Sequence, residues 1–241
     1  MIIHVNLNGQ VRELSVAPGE SLMTALRREG YYSVKHGCES GDCGACGVLM
    51  RSATDARASI TNTCVMLAPQ ADGAEITTVE SLGNRLQLSA LQDAFVDNGA
   101  IQCGYCTPAQ ILAARALLDR VPDPTEAQVR DAISGVLCRC TGYLKPVQAI
   151  LNAARAMRGE TESSAGGFPL YHRVIANPSV GDTGWGPGPS AQGGQSGTQT
   201  ATQTRVDVDL AVADEPATAV VGKPERKVDA GKLAQGKPAF V

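Results

Sequence analysis

The chain has 241 residues, enough for one or two ordinary domains that fold without covalent staples, so its eight cysteines are not needed to hold it together. Its net charge of −3 is mild and no lysine or arginine block stands out, which argues against a nucleic-acid partner. No run approaches ~18 apolar residues, and the opening MIIHVNLNGQ has neither a basic n-region nor twin arginines; the expectation is a cytoplasmic chain with no membrane span, whose clustered thiols stay reduced.

Residues 2–16 read as a hairpin. Ile3, Val5 and Leu7 alternate, Asn8-Gly9 is a type I′ turn signal, and Val11, Leu14 and Val16 follow. Ser21 is placed to cap a short helix with Leu22, Ala25 and Leu26 on one face. A glycine-rich loop, CESGDCGACG, occupies 38–47; strands are expected at Gly47–Met50, around Ile60 and at Glu75–Val79. From residue 85 the apolar period becomes that of a helix. Leu88, Leu91, Phe95 and Val96 form one stripe, stopped by Asn98-Gly99. Thr107 as cap and Pro108 as first-turn proline open a second helix with Ile111, Leu112, Leu117 and Leu118, ending before Pro122. Thr125 and Gln128 form a capping box for a third, carrying Val129, Ala132, Ile133, Val136 and Leu137. Val147, Ile150, Leu151 and Ala154 mark a fourth. The expected fold class is α+β: a small mixed domain at 1–80, an all-α four-helix domain at 81–158, then a long irregular tail.

The cysteines fall in two sets of four. Cys38, Cys43 and Cys46 read C-x4-C-x2-C and are followed after 17 residues by Cys64. Cys103 and Cys106 read C-x2-C and are followed after 31 residues by the C-x-C of Cys138 and Cys140. The first spacing is that of plant-type [2Fe–2S] ferredoxins. Three thiolates from one short loop reach one cluster only if the loop curls around it, and Gly37, Gly41, Gly44 and Gly47 give the backbone that freedom. Amide N–H groups then face the sulfurs and help set the potential. Structural zinc is the alternative, and for the second set, whose C-x2-C also suits zinc, it stays open. A thioredoxin-like redox pair fits less well, because no βαβ pattern surrounds it. Cys103 and Cys106 stand where a helix begins, with free N–H groups that favour thiolate. Cys138 and Cys140 are two apart and cannot share a helix face, so a turn is expected there. The histidines are scattered; His36, beside the first loop, reads as a packing or surface residue.

The words GCESGDCGACGVL, TNTC at 61–64, IQCGYCTP at 101–108 and LCRCTGY at 137–143 resemble the iron–sulfur subunit of the xanthine dehydrogenase and aldehyde oxidoreductase family, the molybdenum hydroxylases. The resemblance covers about residues 1–158. It implies a β-grasp ferredoxin domain followed by a helical [2Fe–2S] domain, two [2Fe–2S] clusters held by the eight cysteines, and no catalytic residue on this chain. Its partners would be a large molybdopterin-binding subunit, with the cofactor expected as the cytosine dinucleotide, and an FAD-binding medium subunit. Electrons would run from molybdopterin through both clusters to FAD or another acceptor. The glutamine before the C-x2-C and the last cysteine of the C-x-C lie against the pterin in relatives; here these are Gln102 and Cys140. Several places depart from the commoner family words: Gly47 stands where threonine is frequent, Ala109 where glycine is frequent, and the loop 51–60, RSATDARASI, is longer and more polar than usual. No dinucleotide fingerprint is present, since the glycines near 181–188 follow no strand and open no helix.

Residues 159–205 are rich in Gly, Ser, Thr, Gln and Pro and read as a linker or surface-laid arm, and VDVDLAVA at 206–213 alternates like a strand. The last residues, AVVGKPERKVDAGKLAQGKPAFV, are similar to the opening of the family's large subunit, at Gly222-Lys223, Lys227 to Asp229 and Gly236 to Phe240. This suggests either a frame that once continued into the large subunit or an arm that docks there; because Val220, Val221, Val228, Leu233, Phe240 and Val241 would be left wet on a lone tail, 206–241 is expected to order only against that subunit, partly as an added strand.

Overall fold

Asn8 (φ 55°) and Gly9 (φ 79°) are both left-handed, as a type I′ turn requires, and they join β1 (Ile2–Leu7) to β2 (Gln10–Ser15) in antiparallel register. Alternation on β1 buries Ile3, Val5 and Leu7, each contributing about 1.5–3 kcal/mol relative to exposure. On β2, Leu14 turns inward, whereas Val11 is 78% exposed: it stands three residues from Leu14, and a strand repeats every two. The computed structural model describes residues 1–52, 54–84, 87–160, 227 and 229–237.

Helix α1 (Leu22–Arg28) begins where the Ser21 hydroxyl accepts the Thr24 N–H at 3.2 Å, and it buries Leu22, Met23, Ala25 and Leu26. Strands β3 (Gly47–Arg51), β4 (Ser59–Asn62) and β5 (Glu75–Thr77) complete a sheet of order β2-β1-β5-β3-β4, in which only β1 and β5 run parallel. The fifth strand ends at Thr77 and a 3-10 turn at Val79–Ser81 follows, so Val79 leaves the sheet's core. On β3, Val48 packs with the α1 side and Leu49 with the helices that follow, so this strand is buried on both faces.

Those helices are α2 (Ala90–Asp97), α3 (Thr107–Leu118), α4 (Glu126–Ile133) and α5 (Leu144–Met157). Thr125 and Gln128 make the expected reciprocal cap of α4, and Ser89 and Gln92 make another on α2. Thr107 is not the cap of α3: Cys106 takes that position, no side chain caps it, and Thr107 is buried within the first turn. Helix α4 stops at Ile133, so Val136 and Leu137 lie beyond it; Val136 is buried and Leu137 is 58% exposed. No helix among the described residues is long and apolar enough to cross a membrane.

The linker from 161 and the strand expected at 206–213 lie outside the described residues. The described part of the C-terminal arm departs from expectation. Residues Ala230–Ala234 form a short helix, α6, whose Ala230, Leu233 and Ala234 are buried in the same core as α2, α3 and Val79 of this chain. The spacing i, i+3, i+4 of those three residues is the period of a helix, not of a strand, which is why this segment does not pair with a sheet.

Candidate metal centres

The first loop leaves α1 and enters β3, and its shape comes from left-handed residues: Glu39 (φ 57°), Gly41 (φ 85°) and Gly44 (φ 66°). The loop turns its amides inward, so that the N–H groups of Ser40 and Cys43 donate to Cys38 Sγ at 3.5 and 3.4 Å. A Cβ on Gly37 would stand 2.7 Å from Cys43 Sγ, so that approach needs glycine. Asn62 at the end of β4 donates to the Gly41 carbonyl at 2.8 Å, and the Thr63 hydroxyl donates to the Cys46 carbonyl at 2.8 Å; these bonds bring Cys64 to the loop. Hydrogen bonds from Ser40 and Cys43 hold the Cys38 thiol at about 6, toward thiolate. Burial, then a thiol hydrogen bond with Cys46, pushes Cys64 up to about 11.

The second set is assembled from more distant parts. Cys103 and Cys106 lie just before α3, with Cys106 as its N-cap, while Cys138 and Cys140 sit in the turn between α4 and α5. That turn is braced internally. The Tyr143 hydroxyl accepts the Cys138 N–H at 2.8 Å and donates to the Val136 carbonyl at 3.2 Å, Thr141 Oγ1 lies 3.0 Å from Cys138 Sγ, and Tyr143 itself is left-handed (φ 66°). The Tyr105 N–H donates to Cys103 Sγ at 3.5 Å. Burial and the neighbouring Cys138 push the Cys106 thiol up. Gln102, Cys103 and Cys140 are all exposed.

All eight cysteines are free thiols. Among the described residues no three His, Cys, Asp or Glu side chains converge on one single-ion position. Four thiols per set, amides directed at Cys38 Sγ and a bare Gly37 beside Cys43 Sγ fit a [2Fe–2S] cluster.

The two sets meet. The Leu137 N–H, one residue before Cys138, donates to the Cys43 carbonyl at 2.9 Å, and the Tyr105 hydroxyl donates to the His36 carbonyl. Gly44 is pressed against the second turn: a Cβ there would fall 2.0 Å from the Gly135 carbonyl oxygen. The His36 imidazole faces the Glu39 carboxylate at 2.7 Å and is half exposed, a surface position as expected. Sequence reasoning missed Leu137, Thr141, Tyr143 and Tyr105 as supports. Their signal was their place inside LCRCTGY and IQCGYCTP; the periodicity argument instead assigned Leu137 to a helix face.

Comparison with known proteins follows this division. A 2Fe-2S iron-sulfur cluster binding domain model matches residues 5–69, and a [2Fe-2S] binding domain model matches residues 78–151. The nicotinate dehydrogenase small FeS subunit of Eubacterium barkeri is 47% identical over 144 residues, covering 59% of this chain and 88% of that one. The quinoline 2-oxidoreductase structure from Pseudomonas putida 86 aligns at TM-score 0.60 and 41% identity over 67% of this chain and 98% of that chain. The aldehyde oxidoreductase of Desulfovibrio gigas aligns at TM-score 0.62 and 37% identity over 67% of this chain, but only 18% of its own longer chain. With both cysteine sets, the sheet-then-helix order and near-complete coverage of small relatives in agreement, the chain belongs to the iron–sulfur subunits of the xanthine dehydrogenase and aldehyde oxidoreductase family, the molybdenum hydroxylases.

Proposed function

We propose that this chain relays electrons between a large molybdopterin-bearing subunit and an FAD-bearing medium subunit or another acceptor, in a cytoplasmic complex whose substrate pocket lies on another chain. The observation that carries this reading is the junction of the two thiol sets: a backbone hydrogen bond from Leu137 to Cys43 at 2.9 Å links the covalent frames of both. Cys38, Cys43, Cys46 and Cys64 would hold one cluster, and Cys103, Cys106, Cys138 and Cys140 the other. A bound [2Fe–2S] cluster accepts and releases one electron at a time. The chain's own residues then act by holding thiolate, by directing amides at the sulfurs, and by fixing the distance between sites. Exposed Gln102 and Cys140 face outward beside Cys103, which suits contact with the pterin of the large subunit. The proposed units are a β-grasp ferredoxin domain at 1–80 and a four-helix cluster domain at 81–158, with 159–205 as linker and 206–241 as arm.

Metal and sulfide analysis of the purified complex tests this. The expected result is about two irons and two sulfides per thiol set, with two distinct EPR signals on reduction. Zinc in place of iron in the second set would overturn the two-cluster reading.

A further inference from the structure

We propose that residues 229–237, together with Lys227, form a strap, seated in a groove of this same chain, that holds the backbone of the loop carrying Cys103. The groove lies between the loop at 102–104, the buried Gln92 of α2, Val79, and the Ser33–Lys35 segment. Helix α6 has five residues, well short of the ~12–15 at which an isolated helix becomes even marginal in water, so its order comes from its seat.

Five contacts define the fit. Gly104, between Cys103 and Cys106, has φ +81°, and a Cβ there would fall 2.7 Å from both Leu233 methyl carbons; the loop is bare where Leu233 packs. Gly236 has φ +76°, and a Cβ on it would fall 2.3 Å from Ser33 Cβ and 2.9 Å from Val79 Cγ1, so the strap is bare where it meets the body. Gln92 is fully buried: its carbonyl oxygen accepts from Ser89, and its amide donates to the Ala234 carbonyl at 3.0 Å and to the Val79 carbonyl at 3.5 Å. With the strap gone, that buried amide keeps only the longer bond, and unmet buried donors are costly. Finally, Lys227 Nζ donates to the Gln102 carbonyl and pairs with Asp229 at 2.9 Å, while Lys35 Nζ reaches the Gly236 carbonyl at 3.5 Å. The strap thus touches the residue before Cys103 and the residue after it. Being part of the same chain, it binds at high effective concentration, and a separate peptide must compete with it.

The role assigned to Leu233 and Lys227 is positioning, and only its spectroscopic arm rests on the cluster reading above. Hydrogen exchange of the full-length chain gives the primary test. Leu233→Asp buries a charge in the seat, and Gly236→Val, made from the tail side, meets Ser33; neither changes the body of the fold. In both variants the amides at 229–237 and at 102–106 should exchange at least about tenfold faster together, while those of β1 and β5 keep their protection. A synthetic peptide spanning residues 226–238 should restore the protection of 102–106 in Leu233→Asp. The EPR signal of the second cluster should broaden in the same variants at unchanged iron content. Release of 229–237 without any change at 102–106 in both variants overturns the proposal, as does a failure of either variant to release the strap. Absence of iron from the wild-type chain would instead defeat the cluster reading and leave the exchange result standing.

Discussion

The two thiol sites solve one problem by opposite means. The first takes three thiols from a single loop, and the amides aimed at Cys38 come from that same loop, at Ser40 and Cys43. The second draws its thiols from the start of α3 and from a turn beyond α4, and it is steadied by Tyr143, Thr141 and the distant Leu233. The first depends on local backbone conformation; the second depends on packing having already occurred. The two should therefore fail separately, and they meet where Cys43 accepts from Leu137, where Tyr105 donates to His36, where Gly44 abuts Gly135 and where α3 packs on β3.

The strongest break removes one site whole. Cys43→Ser takes away a first-loop thiol but keeps the carbonyl that accepts from Leu137, so the junction stands. About half of the iron should be lost if, as proposed, each set holds one two-iron cluster. The EPR signal of the helical site should persist and remain reducible from the molybdenum side, while electrons leave the complex slowly. Loss of both signals would mean that the second site also needs the first loop filled.

The next strongest attacks the junction without touching a thiol. Gly44→Ala places a methyl 2.0 Å from the Gly135 carbonyl oxygen, at a left-handed residue (φ 66°). Overpacking costs about 1–3 kcal/mol, and the left-handed conformation costs a non-glycine residue about 1–2 more. Urea denaturation should register the sum. Both signals should survive, while reduction of one site after the other slows, because relief of the clash parts Cys43 from Leu137. Unchanged transfer between sites would show that this hydrogen bond plays no part in it.

The same contrast explains what the sequence revealed. The first site is legible in CESGDCGACG because spacing and glycine placement are the mechanism there. The hairpin, α1 and the capping box at Thr125 are legible for the same local reason, and Ser89-x-x-Gln92 carries the same signal on α2. What escaped was non-local. Leu137 has the period of the α4 stripe, yet the chain leaves the helix at Ile133 and spends Leu137 on a bond to the other domain. Val11 looks like a core residue until register fixes Leu14 inward. The arm's Ala230, Leu233 and Ala234 carry a helix period, but five residues are too few to announce it, and its seat is formed by residues more than a hundred positions away.

The smallest expected effect concerns how the two regions share space. Gly47 and Ala109 are separate oddities in the chain, glycine where threonine is frequent and alanine where glycine is frequent. In the fold they face each other: a Cβ on Gly47 would lie 3.5 Å from Ala109 Cβ, 3.3 Å from Ile60 Cγ1 and 3.1 Å from the Gly44 carbonyl oxygen. Ala109 is fully buried where α3 packs on β3. Against those commoner family words, the methyl here stands on the helix side of the contact and the strand side is bare, so the space is filled once. Ala109→Gly alone should cost about 1–2 kcal/mol, from lost burial of one methyl and from glycine inside a helix. Gly47→Thr alone should cost about 1–3 kcal/mol by overpacking. Together they should cost less than their sum by about 0.5–1 kcal/mol, since residues in contact couple in this range. Thermal or urea unfolding of the four proteins in the cycle measures the difference. Simple additivity would mean that the two positions do not compete for one volume, and that the strand bearing the first site and the helix opening the second were adjusted independently.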